Sequence, residues 1–480
     1  MRRAKIVCTM GPAVESVEKV TELINAGMNM ARLNLSHGGY EEHQARLDTV
    51  RGVAKKFNKA VAILVDLQGP KIRLGRFSNG PHELFKGDRF VITTDEVQGN
   101  KERAGTTYKG LPGDCRKGDM IMIDAGKVAV RVIEVKGNDV ITEVVQPGMV
   151  SNNKGINLPG VAVSVPALSE KDIADLRWGL KAGADFIALS FVRSAEDIKG
   201  VHKIMAEEGI KVPVIAKIEK PQAVDNLQEI VDTFDGIMVA RGDLGVELPI
   251  EDVPMVQKRC ITMARESAKP VIVATQMLDS MIGNSQPTRA EATDCANAVL
   301  DGADALMLSG ETSVGQFPIE AVTVMARIIE RTEEIALDQI PPLKHLPATK
   351  AGAITKAATE VGHTVGAKFL VAFTQSGDSA RRMSRLRSPI PMLALTPELG
   401  TYNRLALSWG VESMITPVVS HTDEMVMQVD SLLIESKRVS IGDLVLIVAG
   451  SPPGIPGSIN AMRVHRIGDA VSGVAPAYRK

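Results

Sequence analysis

Six apolar runs in this chain end, one after another, in residues suited to phosphate and hard cations. The ends read Arg32-Leu33-Asn34-Leu35-Ser36-His37, Asp66, Lys217-Ile218-Glu219, Arg241-Gly242-Asp243, Thr275-Gln276 and Ser309-Gly310-Glu311. Glu219 and Asp243 supply two carboxylates, which with substrate oxygens and water suit octahedral Mg²⁺. Lys217 stands two residues before Glu219, so on a strand both side chains share one face. An ammonium beside such a metal can neutralise the equatorial oxygens of a moving phosphoryl group. Arg32 offers planar, bidentate donors for phosphate. Gly242 lets its backbone amide approach a carboxylate closely. No G-x-x-x-x-G-K-[ST] run is present, so metal and side chains must hold any phosphates. Any one of these residues alone is most often a solvated loop charge or a local ion pair. Six of them at successive strand ends argue for a site.

The elements that must position these residues follow from periodicity. Strands are expected at Ala4–Thr9, Met30–Asn34 and Val61–Asp66, with amphipathic helices at Val17–Asn25 and Tyr40–Phe57 between them. From Pro70 to about Pro166 the texture becomes all-β: short strands such as Arg89–Thr94, Met120–Ile123 and Ala129–Val135, separated by Gly- and Asp-containing turns. Alternation then resumes, with strands at Phe186–Leu189, Val214–Ile218, Gly236–Ala240, Val271–Thr275 and Ala305–Leu308 and helices such as Ser194–Glu208 and Arg289–Leu300. Three β/α units before the insert and five after it make eight, the number that closes a (β/α)8 TIM barrel. In such a barrel the site lies at the C-terminal ends of the strands. Periodicity alone leaves a doubly wound open sheet in play, but no G-x-G-x-x-G follows the first strand. The expected division is a barrel from 1–69 and 167–340, an inserted β domain at 70–166, and a C-terminal α/β domain at 351–480. The Pro-rich stretch from Ile340 to Pro347 reads as a linker, and the last domain has strands at Phe369–Phe373, Pro391–Leu395, Val411–Ile415 and Leu444–Val448.

Composition narrows the function classes. A chain of 480 residues is too long for one core. The 56 Lys+Arg against 57 Asp+Glu give no bulk charge to draw nucleic acid or an anionic membrane. Aromatics at 3% argue against base-stacking platforms, and no apolar run reaches the roughly 18 residues of a membrane span. The basic start lacks the apolar stretch of a signal peptide. Cys8, Cys115, Cys260 and Cys295 have no metal-ligand spacing and read as reduced thiols of a cytoplasmic protein.

The segments KIVCTMGP, ARLNLSHG, DLQGPKIR, NNKGINLPG, AKIEK, VARGDLGVE, ATQMLDSM, PTRAE and MLSGETSVG resemble, in order, the successive signatures of bacterial-type pyruvate kinases. The resemblance covers nearly the whole chain, and VARGDLGVE and ATQMLDSM are its most specific parts. It implies Mg²⁺-dependent transfer of a phosphoryl group from phosphoenolpyruvate to ADP in glycolysis, with Mn²⁺ able to substitute. It also implies that Arg32 contacts the transferred phosphate, Lys217 stabilises the transition state, and Glu219 and Asp243 bind the metal. Gly242 and Thr275 would hold the enolpyruvate, Thr275 near the carbon that is protonated. Arg73, Lys154 and His37 would contact the nucleotide, Lys154 coming from the inserted domain acting as a lid. A cytoplasmic homotetramer with a phosphorylated effector is implied as well.

The chain departs from the family pattern in three places. The lid turn reads Asp124-Ala125-Gly126 where many relatives have two Asp before the Gly. The monovalent-cation set corresponds to Asn34, Ser36, Asp66 and Leu67, but Lys71 stands where K⁺-requiring relatives commonly have Glu. An ammonium there supplies a fixed positive charge, so K⁺ is expected to be dispensable. Thr374, Ser376 and Ser379 resemble the effector phosphate loop, whereas Gly450-Ser451-Pro452-Pro453-Gly454 lacks the basic residues typical of sugar-bisphosphate sites. A phosphate monoester such as AMP or a hexose monophosphate is therefore the expected activator. The competing readings are a metal-dependent aldolase or another phosphoenolpyruvate enzyme on a similar barrel, and a catalytically dead metabolite sensor. The nucleotide contacts distinguish the first, and the intact site residues speak against the second.

Overall fold

The computed structural model describes residues 2–161, 163–344, 347–451 and 457–470. Eight parallel strands close into a barrel in chain order: Lys5–Thr9, Met30–Asn34, Ala62–Asp66, Phe186–Leu189, Val214–Ile218, Gly236–Ala240, Val271–Ala274 and Ala305–Leu308. Nearly every residue of these strands is buried, as expected of strands covered on both faces. Val7, Met30, Leu64, Phe186, Ile215, Met238, Ile272 and Met307 fill the inside. Their alternates, among them Ile6, Leu33, Val65, Ile187 and Val239, pack against the surrounding helices. Capping residues set where those helices start: Ser16 Oγ accepts from the Lys19 amide, and Ser169 and Thr288 each form a reciprocal capping box.

The inserted segment has its own core around Phe90, Ile92, Val130 and Val140. Its six-stranded sheet runs in the order Ile156–Asn157, Met120–Ile123, Val128–Lys136, Asp139–Gln146, Arg89–Thr93 and Arg103–Gly105. A two-stranded ladder pairs His82–Leu84 with Gly148–Val150. Asp124 and Ala125 both have positive φ, 52° and 56°, in the turn that reverses the chain. For Ala this is a sterically disfavoured position.

The C-terminal sheet is five-stranded, ordered Val411–Ile415, Met392–Thr396, Leu370–Phe373, Leu444–Gly450 and Ile459–Arg466, with only the last pair antiparallel. That edge strand is not foreseen by periodicity, because its residues are mostly exposed and mixed in polarity. Ala406 and Leu407 join the inner barrel cluster, and the buried Lys5 ammonium donates to the Val411 carbonyl at 2.8 Å. All four cysteines are free and buried. Among the described residues, no helix is long and apolar enough to cross a membrane.

Candidate active site

Strand register brings the expected residues to one rim. Arg32 pairs with Leu64 and Asn34 with Asp66 across the second and third strands. Arg32 Nε donates to Asp66 Oδ2 at 2.6 Å and its Nη1 donates to Thr9 Oγ1 at 3.0 Å. From the fifth strand, Lys217 Nζ lies 2.9 Å from Glu219 Oε1 and 3.4 Å from Asp66 Oδ1, and it donates to Ser190 Oγ at 2.7 Å. Ser190 in turn donates to the Leu67 carbonyl at 2.7 Å. The i, i+2 spacing therefore places ammonium and carboxylate together as the pleat requires.

Electrostatics sharpen this arrangement. Burial works against the Lys217 ammonium, but Asp66 and Glu219 overcome it and hold its pKa above the usual lysine value. Burial would also raise the Asp66 pKa, and Lys217 and Arg32 bring it below the usual carboxylate range. For Glu219 burial wins: its pKa is raised against the pull of Lys217, with the charge of Asp243 adding to the rise. Glu219 Oε2 accepts the Phe191 amide at 2.8 Å, and its side chain is 1% exposed. Asp243, in the first turn of the helix Arg241–Glu247, lines the cleft between barrel and inserted domain. This hard, carboxylate donor set, one member anchored and one facing the cleft, fits a divalent cation such as Mg²⁺.

Thr275 differs from expectation. The seventh strand stops at Ala274, and Thr275 and Gln276 follow with φ of 69° and 54°. A β-branched residue with positive φ is costly and is held only where its surroundings impose it. Arg241 does so: its Nη2 donates to the carbonyls of Thr275 and Gln276 at 2.8 and 3.1 Å while its Nη1 pairs with Asp294 at 2.7 Å. Thr275 Oγ1 then accepts the Gly242 amide at 2.7 Å. A Cβ on Gly242 would come within 3.3 Å of that oxygen.

Two rim residues turn out to be structural. Glu311 is 1% exposed and accepts the Ser309 and Leu278 amides at 2.7 and 3.1 Å, bracing two loops. Arg241 braces the Thr275 turn, as above. Lys71 also lies elsewhere than expected. It is exposed, its Cε is near Gly155 of the inserted domain, and it lines the cleft with Asp243. The ammonium beside Asp66 is that of Lys217. Asn34, Ser36, Asp66 and Leu67 are neighbours: Ser36 N donates to Asn34 Oδ1 at 3.3 Å, and the Asp66 carbonyl accepts the Leu35 amide.

The nucleotide candidates make separate local contacts, and none of them is among the described residues lining the cleft with Asp243. Arg73 donates to the Asn153 carbonyl at 3.0 Å, Lys154 pairs with Asp124 at 3.0 Å, and the exposed His37 accepts at its carbonyl from His43. Asn157 of the inserted domain donates to Glu247 Oε1 at 2.9 Å, and Lys220 reaches the same oxygen at 2.6 Å. Thr9, Ser190 and Phe191, which sequence reasoning did not single out, hold the candidates Arg32, Lys217 and Glu219. Applying the strand-end rule to the first and fourth strands would have found them.

The residues match a family model described as "Pyruvate kinase, barrel domain" over 1–322 and one described as "Pyruvate kinase, alpha/beta domain" over 352–465. The pyruvate kinase of Mycobacterium intracellulare is 57% identical over 468 residues, covering 98% of this chain and 99% of the relative. That of Corynebacterium glutamicum is 56% identical over 468 residues, covering 98% of each. The chain belongs to the pyruvate kinase family. A crystal structure of a pyruvate kinase from Cryptosporidium parvum superposes with a TM-score of 0.91 at 36% identity, covering 97% of this chain and 96% of that one. The protein is an enzyme with pyruvate kinase activity.

Proposed function

We propose that pyruvate kinase chemistry in this chain centres on Lys217, fixed between Asp66, Glu219 and Ser190 at the barrel mouth. The reaction breaks the bond between phosphorus and the enol oxygen of phosphoenolpyruvate and forms one to a terminal oxygen of ADP. The enolate left behind is protonated on carbon to give pyruvate. Arg32, held by Asp66 and Thr9, presents its remaining guanidinium edge to the phosphoryl group. Lys217 stabilises the charge on that group as it moves. Gly242 and Thr275 orient the enolpyruvate, Thr275 beside the carbon that takes the proton. A divalent cation, Mg²⁺ with Mn²⁺ as a substitute, would be held by Glu219 and Asp243 and would supply charge neutralisation and alignment of substrate oxygens.

The inserted domain, 70–166, is read as a lid. Its Asn157 contact with Glu247 supports that reading, and closure would exclude water from the phosphoryl donor. Arg73, Lys154 and His37 would receive the nucleotide. Turnover without K⁺ through Lys71 draws no support from its position, because Lys71 is exposed beside Gly155 and the ammonium next to Asp66 is that of Lys217. In the C-terminal domain, Thr374, Ser376 and Ser379 line an open pocket that has no Lys or Arg among its described lining residues. That favours a phosphate monoester over a bisphosphate. The stretch Pro452–Gly454 lies outside the described residues. A homotetramer working in the cytoplasm completes the reading, on family resemblance.

The deciding observation is the buried Lys217–Asp66–Glu219 cluster beside the cleft. A coupled pyruvate assay tests it. Pyruvate should form only when phosphoenolpyruvate, ADP and Mg²⁺ are all present; pyruvate formed without ADP would favour the aldolase-type reading.

A further inference from the structure

Where the C-terminal domain meets the barrel, far from the strand ends that carry the catalytic candidates, positive charge is concentrated in one crevice. Arg265 from the helix Val253–Glu266, Lys269 just after it, Arg381 from the helix Asp378–Ser384, and Arg385 and Arg387 beyond that helix line it. Asp304 is the one carboxylate among the described lining residues, and it is already engaged. Arg387 lies 3.0 Å from it, and the amides of Val271 and Trp409 donate to it at 3.1 Å each.

The other four cations have no ion pair among the described residues; their contacts are backbone carbonyls. Arg265 donates to Pro341 and Arg385, Arg385 to Glu266, Lys269 to Val231 and Asp232, and Arg381 to Ser376. Carbonyls orient a cation but bring no net charge to neutralise it. The Nε atoms of Arg265, Arg385 and Arg387 have no hydrogen-bond partner, although these residues are only 3%, 7% and 6% exposed. Burial, and next the neighbouring Arg387, lower the Arg265 pKa to about 9. Carboxylates not in direct ion pairs with these four cations offset part of this charge: Glu266 and Asp304 act on Arg265, Asp232 and Asp235 on Lys269, and Asp378 on Arg381 and Arg385. Burial still outweighs them at each of the four, and clustered cations so poorly compensated are costly in a folded protein. An anion removes that cost.

We propose that this interdomain crevice binds a small tetrahedral oxyanion, inorganic phosphate or a close analogue, which neutralises the arginines and fastens the C-terminal domain to the barrel. The open volume is about 210 Å³. That figure includes the open mouth, so the crevice is narrow and suits an oxyanion rather than a nucleotide. Guanidinium forks match the oxygen geometry of such an anion. The site is separate from the loop at Thr374–Ser379 but mechanically joined to it. Arg381 grips the Ser376 carbonyl, and the same short helix carries Ser379. Occupancy of the crevice therefore sets the position of the helix on which that loop rests.

The test is the unfolding temperature of the full chain, titrated with inorganic phosphate against chloride at matched ionic strength. All proteins carry Arg32→Gln, Ser376→Ala and Ser379→Ala, so that neither the active site nor the loop contributes. This background should show a saturable rise with phosphate. Adding Arg385→Gln, or the milder Lys269→Gln should Arg385→Gln fail to fold, should move the phosphate midpoint at least about tenfold, which is 1.4 kcal/mol of binding. No rise in the background, or a midpoint that neither substitution moves, overturns the proposal.

Discussion

Replacing Lys217 by Met keeps the side-chain length and removes the charge. The ammonium lies 2.9 Å from Glu219 and 3.4 Å from Asp66. At an effective dielectric of about 20, each such pair is worth roughly 5–6 kcal/mol before desolvation. Asp66 keeps Arg32 at 2.6 Å after the substitution, so the fold retains part of its compensation at the rim. The moving phosphoryl group has no such reserve from the fifth strand. Loss of a preorganised charge on a transferring phosphoryl group costs about 10²–10⁵ in rate, or roughly 2.7–6.8 kcal/mol of barrier. Because the charge acts chiefly in the transition state, kcat should fall by that factor while KM for phosphoenolpyruvate changes far less. Coupled pyruvate formation at saturating ADP and Mg²⁺ measures both, with circular dichroism as the check on folding. A folded Lys217→Met enzyme that keeps a tenth of the wild-type kcat would remove Lys217 from the mechanism.

Three further outcomes are expected. In buffer free of Na⁺ and K⁺, with tetramethylammonium holding ionic strength, Lys71→Glu should leave the response to added K⁺ within about tenfold of wild type, under about 1.4 kcal/mol of barrier, because Lys71 is exposed beside Gly155; a K⁺ requirement gained by that variant would show that Lys71 is a substitute charge. Ser376→Ala with Ser379→Ala should abolish activation by AMP or a hexose monophosphate and spare basal turnover, whereas unchanged activation would exclude the loop. Lys5 is fully buried and its pKa is lowered, by burial first, to about 8 from 10.5. The unfolded chain therefore binds more protons between about pH 8 and 10.5, and stability rises with pH across that window. The penalty at neutral pH is on the order of 3 kcal/mol. Lys5→Met should raise the unfolding temperature at pH 7 and flatten its rise above pH 8, and an unchanged slope would contradict this.

Much of the barrel was legible because its strands are short, apolar and separated by capped amphipathic helices. Met30–Asn34, Val214–Ile218 and Gly236–Ala240 begin and end where periodicity puts them. The pairing of Lys217 with Glu219 was legible too, since a two-residue spacing on a strand has one geometric outcome. What was not legible depends on register between strands distant in sequence. Nothing near Arg32 announces that Asp66 will hold it, and nothing near Lys217 announces Ser190. The left-handed turn at Thr275 runs against the preference of a β-branched residue and is imposed by Arg241, 34 positions earlier. Glu311 looked like a rim charge, yet two backbone amides turn it inward. The edge strand Ile459–Arg466 has too little burial to leave a period. The cationic crevice exists only once two domains meet.

The claim on which the rest depends is that Glu219 and Asp243 hold the divalent cation beside Lys217. Electron paramagnetic resonance of Mn²⁺, titrated with wild-type enzyme and with Glu219→Gln and Asp243→Asn, tests it directly. The wild type should bind Mn²⁺ saturably, and each variant should weaken binding at least about tenfold, or 1.4 kcal/mol. Wild-type affinity in both variants would place the metal elsewhere and contradict the account.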